Sequence, residues 1–396
     1  ISGPRVEVDD PLVALGDLAR AFVDRETAGR PLPVLAIGGA AGKTTTRALA
    51  AAAVGALFGE TLITAGNLNN RIGVPMTLLT LDPSHRAAVL ECGTSEPGEI
   101  AELGRIARPD VAVVLNVDVE HSERLGDLAA IADEEGALLL AARRVAVTSA
   151  DEPLLVERLA RAPAARRTFG VAPDADVRLL DRRPDPTGGS TLRFALARDL
   201  AATGAGSEWV VRTRLLGAAF AANVGAALAG ALALLGRPAS AAELEAVAAA
   251  LGTVEAVPGR MRPLTIGPNA VLDDGYNSNP RSAAAALEAA RELAAGRGAR
   301  WVAALGDMLE LGAFAAAAHD ELLAAASAAD AARLILVGPE LAQALDRARG
   351  AGRALPIPCS WFATSEAAAA ALDALLEPGD LLLVKGSRGV RMERLI

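Results

Sequence analysis

The sequence predicts an α/β protein of two domains, each a mostly parallel β-sheet covered by helices, and three observations carry that expectation. Short β-rich runs alternate with long alanine-rich segments. The alternation restarts after Pro258-Gly259. The chain's 396 residues, 52% hydrophobic and 22% charged, suffice for more than one packed core.

Taken in order, Val6 to Asp24 is a leader, and Val34 to Ile37 reads as a strand followed by a helix over Lys43 to Phe58. Ala87 to Glu91 is then followed by Glu99 to Ala107, and Val111 to Val117 by Leu128 to Ala142, which is the pattern of βαβ units. Between Val171 and Leu216 the pattern changes to short strands around Pro184, Pro186, Gly188 and Gly189, a β-rich excursion. The second series places strands at Ala270 to Leu272, Trp301 to Leu305, Leu334 to Val337 and Leu381 to Val384. The expected divisions are 1–25, a remnant and linker; 26–257, the central domain; and 258–396, the C-terminal domain.

With 39 basic and 48 acidic residues the net charge is -9, which argues against a nucleic-acid partner and requires any anion pocket to be locally built. Cys92 and Cys359 lie far apart, so neither a disulfide framework nor a zinc site is indicated, and a cytoplasmic location is expected. The apolar runs Ala48 to Leu57 and Ala218 to Leu235 are alanine-rich and interrupted, which predicts buried helices and no membrane span. The chain opens at Ile1 without a methionine or a signal-peptide pattern, so the N-terminus reads as cropped or processed. A monomer is expected.

The sharpest local signal is Gly38-Gly39-Ala40-Ala41-Gly42-Lys43-Thr44-Thr45-Thr46, between a strand and a helix. Glycines let backbone N–H groups approach phosphate oxygens, a lysine reaches the terminal phosphates, and a hydroxyl can hold Mg²⁺. Gly39, Gly42, Lys43, Thr44 and Thr45 are therefore candidate nucleotide contacts. Ile37 stands where the standard loop has its first glycine, so the loop is P-loop-like; a tight turn with an incidental lysine is the plainer alternative. Glu91 ends a strand that should lie beside this loop, and a solvated loop glutamate is its alternative. The segment Thr64 to Pro75, containing Asn69 and Asn70, is too rich in amides for a core element and by itself reads as a loop. Asn116, at another strand end, is a second-rank candidate for a phosphate or substrate.

Read together, five further segments change the picture: Glu91-Cys92-Gly93-Thr94-Ser95-Glu96-Pro97-Gly98-Glu99-Ile100, Gly259-Arg260-Met261, Asp273 to Pro280 (DDGYNSNP), Leu305 to Gly312 (LGDMLELG) and Lys385-Gly386-Ser387-Arg388. In this order they resemble the Mur ligases, from about Val6 to Ile396. The amide-rich loop, GDMLELG and DDGYNSNP look specifically like the member that adds D-alanyl-D-alanine to a UDP-N-acetylmuramoyl-tripeptide in peptidoglycan precursor synthesis. Asp-Asn-Pro-Arg, the signature of the ligase that adds the third amino acid, is absent. The resemblance implies a central ATPase domain, a C-terminal Rossmann-like domain, ATP with Mg²⁺ between them, and amide-bond formation through an acyl phosphate. It also implies a preceding UDP-binding domain, of which Val6 to Asp24 looks like only the last part.

Residue by residue, it makes Glu91 and His121 metal ligands, Arg260 an interdomain ATP contact and Asp274 the carboxylate that holds the ribose. Tyr276, the only tyrosine, would pack on the nucleotide, and Asn223 would lie on the nucleotide side. Asn69, Asn70, Asn277, Asn279, Lys385 and Arg388 would face substrate. Another amide ligase of the superfamily, or a non-catalytic nucleotide-binding paralogue, is the competing expectation.

Four departures stand out. Ala40-Ala41 replaces a small hydroxyl residue and an asparagine, and Arg71 takes a position usually acidic or neutral. Gly217-Ala218-Ala219-Phe220 lacks the family's histidine and asparagine. In Ile131-Ala132-Asp133-Glu134-Glu135-Gly136, Glu135 aligns with the lysine that these ligases carbamylate. A carbamylated lysine is a carboxylate on a long arm, so Glu135 would supply the charge to a second Mg²⁺ directly; the alternative is a solvated acidic turn.

Overall fold

The structure, a computed structural model, describes residues 6–119, 122–185, 188–203, 208–353 and 355–396. The first domain runs α1 (Pro11–Glu26), β1 (Val34–Gly38), α2 (Lys43–Phe58), β2 (Thr61–Ile63), α3 (Gly73–Leu78), β3 (Ala87–Glu91), α4 (Glu99–Ala107) and β4 (Val111–Val114). It continues through α5 (Ser122–Leu125), α6 (Leu128–Ala141), β5 (Val145–Ser149), α7 (Pro153–Leu159), β6 (Ala165–Gly170), β7 (Val177–Pro184), β8 (Ser190–Leu196), β9 (Glu208–Thr213), α8 (Ala219–Leu235) and α9 (Ala241–Thr253). The second has β10 (Arg262–Ile266), β11 (Asn269–Asp274), α10 (Pro280–Arg297), β12 (Trp301–Gly306), α11 (Ala315–Ala328), β13 (Arg333–Val337), α12 (Pro339–Gly350), β14 (Cys359–Phe362), α13 (Ser365–Leu375) and β15 (Leu381–Lys385).

The first sheet has the order β2-β3-β1-β4-β5-β6-β7-β8-β9, parallel as far as β7 and antiparallel beyond. The β-rich excursion thus extends the central sheet as a meander. β1 and β3 are buried at every position because helices cover both faces of a parallel sheet, which explains their unbroken apolar runs. On one side lies α8, buried along nearly its whole length; Gly230 lets it approach β1 and β4, since a Cβ there would stand 3.0 Å from Val113. α1 packs on α3 and α4 at the opposite face. Among the described residues no helix is long and apolar enough to cross a membrane.

The expected strand Val111 to Val117 ends at Val114. Beyond it the backbone turns to the glycine loop: Leu115 N–H donates to Gly38 O at 3.1 Å, and Ala40 N–H to Asn116 O at 3.0 Å. Thr148 Oγ1 donates to Val114 O at 2.7 Å, which satisfies the last carbonyl of the ladder with a hydroxyl.

The second sheet, β10-β11-β15-β12-β13-β14, is parallel except for the β10–β11 hairpin. Asn279 caps α10, with its Oδ1 accepting from Ser282 N–H at 2.8 Å and Pro280 in the first turn, a strong local start signal.

Candidate active site

β1 lies between β3 and β4, and the chain runs from it to β2 and β3 on one side before crossing to β4 on the other, so a crevice opens at the carboxyl ends of these strands. The glycine loop fills that crevice. Gly39 has φ +120° and a Cβ there would be 2.9 Å from Leu115 N; Gly42 has φ +88° and its Cβ would meet Asn223 Oδ1 at 2.6 Å. Only glycine fits either position. Asn223, from α8, is thus a wall of the loop.

Asn116 grips Ala41 at two points, accepting from its N–H at 2.8 Å and donating to its carbonyl at 3.0 Å. The second-rank asparagine is a principal support of the loop. Lys43 Nζ donates to Gly39 O at 2.5 Å and Ala40 O at 3.1 Å, so its ammonium sits over the loop.

Glu91, 2% exposed, lies under the start of α2. Its Oε1 accepts from Thr44 Oγ1 at 3.2 Å and from Asn69 Nδ2 at 2.8 Å. Its Oε2 is buried without a hydrogen bond, 3.2 Å from the Arg47 guanidinium. Thr44 and Glu91 offer two oxygen donors of the kind a hard cation such as Mg²⁺ takes, while among the described residues no three His, Cys, Asp or Glu side chains gather into a metal site. Thr45 lines the same cleft.

The three acidic residues of α6 lie in a helix rather than a turn, which aims each differently and leaves Asp133 exposed, Glu134 half-buried and Glu135 buried. Asp133 accepts from Arg158 Nε at 3.0 Å. Glu134 accepts from the N–H groups of Gly98 and Ile100 at 2.7 and 2.8 Å, which ties down the segment leading into α4. Glu135, 3% exposed, accepts from Gly39 N–H at 2.7 Å. It is directed at the glycine loop and holds that loop by its backbone. The Cys92 thiol between these groups is pushed up to about 12 by burial and by the charges of Glu91 and Glu135. His121 lies outside the described residues.

The amide loop divides by role: Asn69 orients Glu91, whereas Asn70 Oδ1 accepts from Ile72 and Gly73 N–H at 3.1 and 2.9 Å and shapes the turn into α3. Arg71 pairs with Glu102 of α4 at 2.5 Å, which accounts for its sign.

Across the cleft stand the C-terminal residues. The Arg260 guanidinium lies 4.5 Å from the Tyr276 ring centroid and that of Arg388 5.6 Å, so two cations share one aromatic face set. Lys385, 2% exposed, pairs with Asp274 Oδ2 at 2.6 Å and donates to Asn277 O at 3.0 Å, which makes it a strut beneath Asp274. Burial pushes the Asp274 carboxyl up, while Lys385 and Arg260 oppose that shift. Asn279 spends its Oδ1 on the helix cap.

The two sets enclose a cleft of about 800 Å³ lined from Ala40 to Arg388 by both domains, including Asn69, Asn223, Phe220, Arg260, Asp274 and Tyr276. The missing histidine–asparagine pair leaves Ala219 and Phe220 as apolar wall. Arg47, Glu134 and Arg281 were not legible as site residues: only the i+4 step from Lys43 hinted at the first, and the other two act on distant segments.

Residues 37–231 match the Mur ligase middle domain and residues 259–388 the Mur ligase, glutamate ligase domain. The UDP-N-acetylmuramoyl-tripeptide–D-alanyl-D-alanine ligase of Escherichia coli (strain K12) is 34% identical over 404 residues, covering 99% of this chain and 81% of that one. The chain belongs to the Mur ligase family. The ligase of the same description from Mycobacterium tuberculosis (strain CDC 1551 / Oshkosh) is 35% identical, with 95% and 74% covered. MurF from Acinetobacter baumannii superposes with TM-score 0.83 at 28% identity, over 98% of this chain and 80% of that one. MurF ligase from Thermotoga maritima in complex with ADP gives TM-score 0.81 at 25% identity, over 100% and 85%. This Mur ligase therefore shares its two-domain arrangement with a nucleotide-bound relative.

Proposed function

We propose that this chain is an ATP-dependent ligase that joins D-alanyl-D-alanine to a UDP-N-acetylmuramoyl-tripeptide. The observation that carries the reading is the two-sided cleft, with a phosphate loop on one wall and Arg260, Asp274 and Tyr276 on the other. The relatives' activity and the match of the DDGYNSNP and GDMLELG segments supply the substrate class.

In this reading a terminal carboxylate oxygen of the tripeptide attacks the γ-phosphorus of ATP, ADP leaves, and the dipeptide amine displaces phosphate from the acyl phosphate. The amine's proton is lost as the amide forms. The protein contributes position and charge rather than a covalent nucleophile. Lys43 and the loop N–H groups neutralise phosphate oxygens, Asn116 and Glu135 hold the loop in place, and Asp274 with Tyr276 orients the nucleoside. Thr44 and Glu91 would hold Mg²⁺, with His121 and Glu135 as further ligands; the ion supplies charge neutralisation at the transferred phosphoryl group.

Titration of Mg·ATP into the parent and Lys43→Ala is the direct test. The variant is expected to bind at least about tenfold more weakly, since it loses a charge-assisted contact of roughly 1.5–3 kcal/mol. Equal affinity would remove the loop from the nucleotide site.

A further inference from the structure

The two domains meet along α10 and at a second contact, where Ser122 Oγ of α5 donates to Leu311 O at 2.8 Å. On α10, Arg281, Ala289 and Glu292 fall broadly on a single face, eight and three residues apart. At the near end the Arg281 N–H donates to Asp118 Oδ2 at 3.0 Å, and its guanidinium reaches Val117 O and pairs with Glu152. In the middle, Ala289 lies against Gly217, where an added Cβ would stand 2.7 Å from the alanine methyl. At the far end Arg182 of β7 donates through both terminal nitrogens to the Glu292 carboxylate, at 2.9 and 2.5 Å, while its Nε donates to Ser190 Oγ at 3.1 Å. Arg182 is 14% exposed and Glu292 31%, so this two-pronged contact is shielded on the arginine side and open to water on the other.

We propose that α10 is a latch that sets the placement of the C-terminal domain on the central domain, with Arg182–Glu292 as its remote clamp and Arg281 as a positioning residue at the cleft. Val117 and Asp118 directly follow Asn116, the residue that holds Ala41 of the phosphate loop. Arg281 therefore ties domain placement to the loop it faces. Neither Arg182 nor Glu292 lines the cleft, so the clamp acts on nucleotide only through geometry. The link to nucleotide rests on the function proposed above; the latch itself does not.

The experiment compares the full chain with R182E, E292R and the double variant R182E/E292R by small-angle X-ray scattering and Mg·ATP titration. Each single variant opposes two like charges, and is expected to enlarge the radius of gyration and weaken Mg·ATP about five- to tenfold; the double variant restores both. Arg281→Met should weaken Mg·ATP similarly and Arg281→Lys should recover part of the loss. Single variants that scatter like the parent, or a double variant as expanded as either single with circular dichroism unchanged, would overturn the latch. Parent affinity in Arg281→Met would overturn the positioning role. A latch visible by scattering in a parent chain that binds no nucleotide would keep this inference and sink the proposed ligase.

Discussion

Glu91 and Glu135 are buried carboxylates put to different uses by their neighbours. Glu91 has a hydroxyl, an amide and a guanidinium around it and keeps one oxygen without a hydrogen bond, whereas Glu135 accepts from the Gly39 N–H. Glu135→Gln preserves shape and the acceptor oxygen for Gly39 but removes the charge. If the charge matters to the metal, acceptor-dependent ADP release should fall by about 10- to 100-fold in Glu135→Gln. A glutamate carries its own carboxyl group and needs no carbon dioxide to supply one, so the parent should be indifferent to stripping of bicarbonate. Glu135→Lys should regain activity only with bicarbonate added. Full activity in Glu135→Gln would reduce this side chain to a prop for Gly39.

At the scale of an element, α6 is the organiser of the site's edge. Its acidic residues reach Arg158, the entry to α4 and the glycine loop from successive positions. Glu134 satisfies two N–H groups at the start of α4 and also accepts from Thr94 Oγ1 at 3.3 Å, so it fixes the loop that follows Glu91. Removing it leaves those donors without their carboxylate, and Glu134→Ala should lose about 1–3 kcal/mol of stability in urea unfolding, with faster amide exchange at Gly98 and Ile100. Stability within a few tenths of a kcal/mol of the parent would show that water replaces the carboxylate without cost.

For the whole molecule, a cleft walled by both domains means that its ligand bonds to both. A ligand that binds only the folded chain stabilises it by about 2.7 kcal/mol at a hundred times its Kd. Mg·ATP should therefore raise the melting temperature of both domains together in calorimetry, in a concentration-dependent way, and Lys43→Ala should remove the shift. An increase confined to one of two separate transitions would place the nucleotide on a single domain.

Local patterns in the sequence determined the α/β class, the helix over Lys43 to Phe58, the strand over Ala87 to Glu91 and, in the second sheet, β11, β12, β13 and β15 but not β10 or β14, because periodicity, glycine and capping signals act within a few residues. The same locality made the glycine loop between β1 and α2 legible. It could not show that β7 to β9 extend the central sheet, that strand β4 stops at Val114 so that Asn116 turns to Ala41, or that Lys385 is buried beneath Asp274. Those outcomes depend on partners 75 to 111 residues away in the case of the two side chains, and such pairings are chosen by packing in three dimensions. Tertiary structure alone turned Asp133, Glu134 and Glu135 from a row of like charges into three separate contacts, because a helix turns about 100° per residue and aims neighbours at different elements.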